Sequence, residues 1–189
     1  YQLTLEPGTV FGGLPPPDLP DEDTAEQMMQ RCQERLAAAG YQHYEVSAYA
    51  RAGARSVHNL NYWRFGDYLG AGAGAHGKAS DAARGAIGRT TREREPRRYL
   101  AEGANAPPTV IEVVPAQRPF EFMLNALRLV EGFAPTLYEA RTGLAWAGLS
   151  EPLARLRKQG LLEESAGLLR PTALGRRFLN DLMAAFLAD

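Results

Sequence analysis

One cysteine, Cys32, is all the thiol that the 189-residue sequence contains. An internal disulfide is excluded, and no cysteine–histidine cluster has the spacing that zinc requires. That sparing use fits a reducing compartment. Long apolar runs are missing too: none approaches the roughly 20 residues of a membrane-spanning helix. Charge of one sign is not in excess, since the formal net charge is −1. No global field therefore draws the chain to nucleic acid or to an acidic membrane. There is no phosphate-binding loop and no Gly-x-Ser-x-Gly elbow. The tyrosines at 41, 44 and 49 could stack bases, but no basic residues are interleaved with them as a nucleic-acid platform needs.

What is present is an ordinary globular composition, 45% hydrophobic and 23% charged, in a chain long enough for one large domain or two small ones. Residues 1–6 alternate, with Leu3 and Leu5 on one side, and read as a strand ended by Pro7-Gly8. A strand that starts at the first residue needs neighbours, so further sequence is expected ahead of it. Residues 12–20, with Gly12-Gly13 and Pro15-Pro16-Pro17, form a loop. Asp21-Glu22-Asp23 opens a helix whose apolar side is Ala25, Met28, Met29, Cys32, Leu36 and Ala39, and Gly40 stops it. Residues 41–49 read as a second strand, which suggests a parallel βαβ unit. A short strand leads from Tyr68 through a glycine-rich stretch to Lys78, and residues 87–91 form another.

Asn105-Ala106-Pro107-Pro108 marks a boundary, after which the pattern turns helical. Phe120, Met123, Leu124, Leu127 and Val130 form one stripe. A short helix covers 137–141, and Leu149, Leu153 and Leu156 mark a third, ended by Gly160. Residues 161–164 and 168–170 pair around Ala166-Gly167. Thr172 then caps a final helix carrying Leu174, Phe178, Leu182 and Phe186. The tail is thus winged-helix-like. As a DNA reader it lacks a cationic excess, since Arg176 and Arg177 sit beside Asp181; as a packing domain it needs none.

Three segments could carry chemistry. In His58-Asn59-Leu60-Asn61-Tyr62-Trp63, a helical turn would put Tyr62 on the same side as His58. A neutral imidazole is a common heme-iron ligand, and flat aromatic surface suits a porphyrin. Arg51, Arg55 and Arg64 flank the segment and could pair propionate carboxylates. The plainer reading is a capping histidine with two core-packed aromatics. Gly70-Ala71-Gly72-Ala73-Gly74-Ala75-His76-Gly77 is not a dinucleotide fingerprint, having neither a following helix nor a correctly spaced acid. It is either a tight strand exit or, at the C-terminal end of a barrel strand, a wall of an active site. Glu6, after the first strand, either binds a polar ligand or caps the turn.

Taken in order, Tyr1-Gln2-Leu3-Thr4-Leu5-Glu6-Pro7-Gly8-Thr9, Gly40-Tyr41 through Glu45-Val46-Ser47-Ala48-Tyr49-Ala50, His58 through Gly70, and Gly74-Ala75-His76-Gly77 resemble the oxygen-independent coproporphyrinogen-III-oxidase-like radical S-adenosylmethionine family, and most closely its HemW-type heme chaperones. The resemblance covers essentially the whole chain. It implies an α/β (α+β) class: the C-terminal part of a partial (β/α) radical-SAM barrel over residues 1–104, a linker over 105–118, and a small winged-helix-like, mainly helical domain over 119–189. It implies heme binding through His58, Asn59, Tyr62 and Trp63, with His58 as the ligand to heme iron. It also implies delivery of heme to respiratory heme proteins, in a cytoplasmic protein that reaches membranes only through a membrane-protein partner, with a homodimer open and nucleic acid not a partner. The family's 4Fe-4S cluster, with its three cysteines, and the S-adenosylmethionine on that cluster belong to the full-length protein. This chain has no such cysteines, so activity of the chain alone is not expected. Thr4 and His76 would line the S-adenosylmethionine cavity of the full-length protein. The alternative that the resemblance allows is an oxygen-independent coproporphyrinogen III oxidase of porphyrin biosynthesis. The His-Asn-x-x-Tyr-Trp segment argues for the chaperone branch.

Overall fold

The computed structural model describes residues 3–102 and 106–187. The chain forms two compact units, Tyr1–Arg55 and Ser56–Asp189. No helix among the described residues is long and apolar enough to cross a membrane.

In the first unit, Thr9 caps a short helix, α1 (Val10–Gly13), by accepting a hydrogen bond from the Gly12 N–H. Helix α2 (Glu22–Ala38) starts where the acidic run predicts: the Asp21 carboxylate accepts from the Thr24 N–H at 2.8 Å. It ends at Gly40, whose φ is +81°. None of its residues is buried. Two expectations change here. Residues 3–6 form no strand, because no described strand lies alongside to take their backbone hydrogen bonds; Tyr1 and Gln2 lie outside the described residues. The tyrosine-rich run at 41–49 is not one strand either. It doubles back as a hairpin, β1 (Gln42–Glu45) against β2 (Ala48–Ala50), antiparallel, with a register shift between His43 and Glu45. The parallel βαβ unit is therefore absent from this unit's described residues, and the local hairpin satisfies the backbone instead.

The second unit begins with α3 (Val57–Trp63) and a three-stranded antiparallel sheet in the order β3 (His76–Asp81), β4 (Ala86–Thr91), β5 (Thr109–Glu112), with α4 (Pro96–Glu102) between the last two. Tyr68 bridges Lys78, but residues 69–75 are not strand, so the expected strand from Tyr68 starts only at His76. Then follow α5 (Arg118–Ala126), α6 (Pro135–Thr142), α7 (Ser150–Lys158), the hairpin β6 (Leu162–Ser165) and β7 (Leu168–Pro171), and helices α8 (Ala173–Arg177) and α9 (Leu179–Ala184). The hairpin turn falls on Ala166 and Gly167, both at positive φ (+52° and +76°), as a two-residue turn between twisted strands requires. Thr172 caps α8 through the Gly175 N–H at 3.0 Å. The expected single last helix is broken at Phe178 (φ −106°, ψ 39°). The break turns the buried side onto Leu179, Leu182, Met183 and Phe186, and leaves Leu174 and Phe178 exposed.

Phe122 of α5 is the centre of this unit's core. It is fully buried and packs edge-to-face with Phe65, Phe133 and Tyr138 at centroid distances of 5.7, 5.1 and 5.2 Å. Arg118, also buried, donates to three carbonyls, of Val113, Thr142 and Gly85, and so ties the turn between β3 and β4 to the helices. Through Phe65 the same core fixes the end of α3.

Candidate functional site

Helix α3 carries the histidine segment. Ser56 caps it, its hydroxyl accepting from the Asn59 N–H at 3.2 Å. The i, i+4 spacing brings His58 and Tyr62 together edge-to-face, with centroids 4.7 Å apart. Tyr62 meets Tyr68 in turn, edge-to-face at 4.4 Å. The three rings make a column that runs from exposed His58 to the sheet. The Tyr68 hydroxyl accepts from Arg89 Nη1 at 3.0 Å, and Arg89 forms an ion pair with Glu121 of α5. Large apolar side chains next to the column in sequence stand in solvent: Val57 is 81% exposed and Leu69 95%.

The base of the column is held by a buried cation that sequence reasoning missed. Lys78, on β3, has a side chain only 1% exposed. Its ammonium donates to the Asp67 carboxylate at 2.7 Å, the Phe65 carbonyl at 3.1 Å and the Ser80 hydroxyl at 3.1 Å, and lies 4.2 Å from the centre of the Phe65 ring. Burial pushes the Lys78 ammonium below its ordinary pKa, and the Asp67 carboxylate works against that shift. Burial also opposes ionisation of Asp67, but hydrogen bonds from Lys78 and from the Ser80 N–H and hydroxyl outweigh it and hold the carboxyl below its usual range. The charged cluster clamps the turn after α3, where Phe65 takes a positive φ of +54°. A lysine inside a glycine-rich strand gives no hydropathy signal, so only the fold shows it.

Gly70 explains part of the glycine run. A Cβ there would lie 2.4 Å from the His76 carbonyl oxygen, so only glycine lets the segment after Tyr68 lie against β3. Of the other expected site residues, Trp63 is half-buried; its Nε1 is buried with no hydrogen-bond partner among the described residues, and the Arg128 guanidinium stacks 4.4 Å above its ring. Asn59 is half-buried beside its cap. His76 is exposed at the start of β3. Thr4 is exposed in the first unit, outside any element. Of the three arginines expected near propionates, Arg51 lies over Tyr41 and Arg55 over Tyr44 in the first unit, and Arg64 is exposed at the end of α3 in the second.

Residues 113–178 match the HemN C-terminal domain. The whole chain is 44% identical to the heme chaperone HemW of Escherichia coli K12 and 40% identical to that of Haemophilus influenzae. The chain is similar to both along its whole length. It spans about half the length of these relatives, 49% and 48% respectively. A mitochondrial radical S-adenosyl methionine domain-containing protein 1 from mouse is 50% identical over 41% of the chain, which corresponds to 18% of that protein. Among solved structures, the chain is similar to coproporphyrinogen III oxidase (HemN) of Escherichia coli, a radical SAM enzyme, with a TM-score of 0.62 over 89% of this chain and 42% of that one. At 19% identity that likeness shows the fold alone: the chain shares the mixed helix-and-sheet architecture of the matching part of that structure, as the class expected from sequence requires.

The iron–sulfur cluster that the resemblance implies for the full-length protein does not fit the residues present. Cys32 is the chain's one cysteine and is exposed on α2, and no group of metal-ligating side chains occurs among the described residues.

Proposed function

We propose that this chain is the heme-carrying part of a heme chaperone, and that heme docks on the column formed by His58, Tyr62 and Tyr68. The observation that carries the reading is the exposed imidazole of His58, held edge-on by Tyr62, with exposed Val57 next to His58 in sequence and exposed Leu69 next to Tyr68. A neutral imidazole offers a lone pair to ferric or ferrous iron, and the flanking apolar side chains meet the porphyrin face. Asn59 and Trp63 support the helix that presents His58. The clamp at Lys78 keeps the column from sagging when the ligand leaves. Heme is cargo here, so an exposed single-ligand site suits release to a recipient. Respiratory heme proteins are the recipients in this reading, and a membrane partner or a second copy of the chain would enter at the hand-over. Thr4 and His76 as walls of an S-adenosylmethionine cavity in the longer protein belong to the same proposal, as does the division at 105–118.

Titration of heme followed in the Soret band tests it. Saturable binding that His58→Ala abolishes or shifts spectrally is the expected result. Unchanged Soret behaviour in His58→Ala removes the ligand assignment. Steady formation of protoporphyrinogen from coproporphyrinogen by the longer protein would favour the oxidase reading instead.

A further inference from the structure

The His58 side chain is exposed. An exposed side chain ordinarily hops among staggered rotamers, and a ligand that must be immobilised when it binds gives up affinity. Here the imidazole is braced edge-to-face by Tyr62, and Tyr62 is braced in turn by Tyr68. Whatever holds the Tyr68 ring therefore decides how firmly His58 is aimed.

Tyr68 is pinned at both ends. Its N–H donates to the Lys78 carbonyl and its carbonyl accepts from the Lys78 N–H, both at 2.9 Å. Its hydroxyl accepts from Arg89 Nη1 at 3.0 Å. Tyr68 bridges Lys78, and Lys78 opposes Arg89, so the three side chains share one side of the sheet. An ammonium has three donors, and Lys78 directs them to Asp67, Ser80 and the Phe65 carbonyl. That leaves the tyrosine hydroxyl to Arg89.

Arg89 is held as well. Its Nη2 pairs with Glu121, and its guanidinium lies 5.9 Å from the centre of the Phe65 ring. The planar fork serves both partners at once, one nitrogen to each. Glu121 is on α5, beside fully buried Phe122. The line Glu121, Arg89, Tyr68, Tyr62, His58 runs from the packed helix to the exposed ring, and every link is a direct contact.

We infer that Arg89 is a positioning residue for the His58 imidazole, acting through Tyr68 and Tyr62. The inference rests on the heme reading above and adds the group that preorganises the ligand. Lys78 fixes the backbone of the turn; Arg89 fixes the ring.

Two variants of the chain test it. Tyr68→Phe keeps the ring and removes the hydroxyl, and Arg89→Gln is too short to reach that hydroxyl. The first readout is the ring-proton NMR signals of His58 in the heme-free chain, displaced by the neighbouring Tyr62 ring. The second is affinity for heme and for metal-free protoporphyrin, which has no iron to ligate. In either variant the His58 signals should move toward those of an unpacked histidine, while those of His43 and His76 stay. Heme affinity should fall roughly fivefold, with metal-free protoporphyrin unaffected. The two changes together should cost no more than the larger alone, because they break the same link. Unmoved His58 signals overturn the relay. Equal loss for both porphyrins also overturns it, since Tyr68 would then act on the macrocycle and not through the imidazole. Absence of saturable heme binding by the parent chain defeats the heme reading, and with it the role assigned to Arg89, even where the ring signals move.

Discussion

Helices α2 and α5 are built from the same kind of pattern and end up in opposite circumstances. Helix α2 has 17 residues, a capping aspartate, acids in its first turn and an apolar side of Met28, Met29 and Leu36, yet it buries none of its residues. Helix α5 has nine residues and no side-chain cap, and it buries Arg118, Phe122, Met123 and Ala126. One helix is specified by its ends and its propensities, the other by its packing. Periodicity shows which side is apolar. It does not show whether anything covers that side. The same contrast separates the packed region at 113–178 from the column that starts on α3, where His58 is exposed and Tyr62 and Tyr68 are half-buried.

The largest expected effect lies in the packed region. Phe122→Ala should cost about 3–5 kcal/mol in denaturant unfolding, whereas Met28→Ala, at a side chain 56% exposed, should change stability by less than about 0.5 kcal/mol. Comparable losses at the two positions would mean that α2 is covered in solution. Next comes the clamp. Lys78→Met removes three hydrogen bonds and leaves Asp67 without its cation, at about 2–3 kcal/mol; the half-exposed Asp67 keeps some water, which holds the figure below that of a fully buried pair.

The pH dependence of the clamp has a definite sign. The Asp67 pKa is lower folded than unfolded, so its contribution is fully present above the ordinary carboxylate range and is lost as pH falls through the folded value. Asp67→Asn should therefore flatten the acid limb of a stability–pH curve and leave its neutral part less stable. An acid limb identical in parent and variant would show that the clamp is not ionic. A smaller effect, about 1 kcal/mol, is expected for Thr172→Ala, which removes the cap of α8. Gly70→Ala is informative in another way. Its new Cβ meets the His76 carbonyl, displaces Tyr68 from the column and should weaken heme binding more than it lowers the unfolding midpoint.

Much of the second unit was legible from sequence, for physical reasons that the residues make plain. Ala166-Gly167 announces its turn, Thr172 its cap, and the spacing of Met123 and Leu127 its buried side. What escaped is just as specific. Leu3 and Leu5 alternate like a strand, but alternation cannot supply a partner strand. The run at 41–49 hides a hairpin because Val46-Ser47 carries no glycine or proline. The last helix shifts its buried side at a break after Arg177 that no single residue type signals. At the site, His58 and Tyr62 could be paired by counting along a helix, whereas Tyr68 and Lys78 come together only through sheet register.

The most direct measurement is a Soret titration of heme into the chain and into His58→Ala, run beside a denaturant melt of both. A saturable, red-shifted Soret band in the parent, lost or displaced in the variant with the melting midpoint unchanged, is predicted. Identical titrations, or no saturable binding in either, would contradict a heme site on α3.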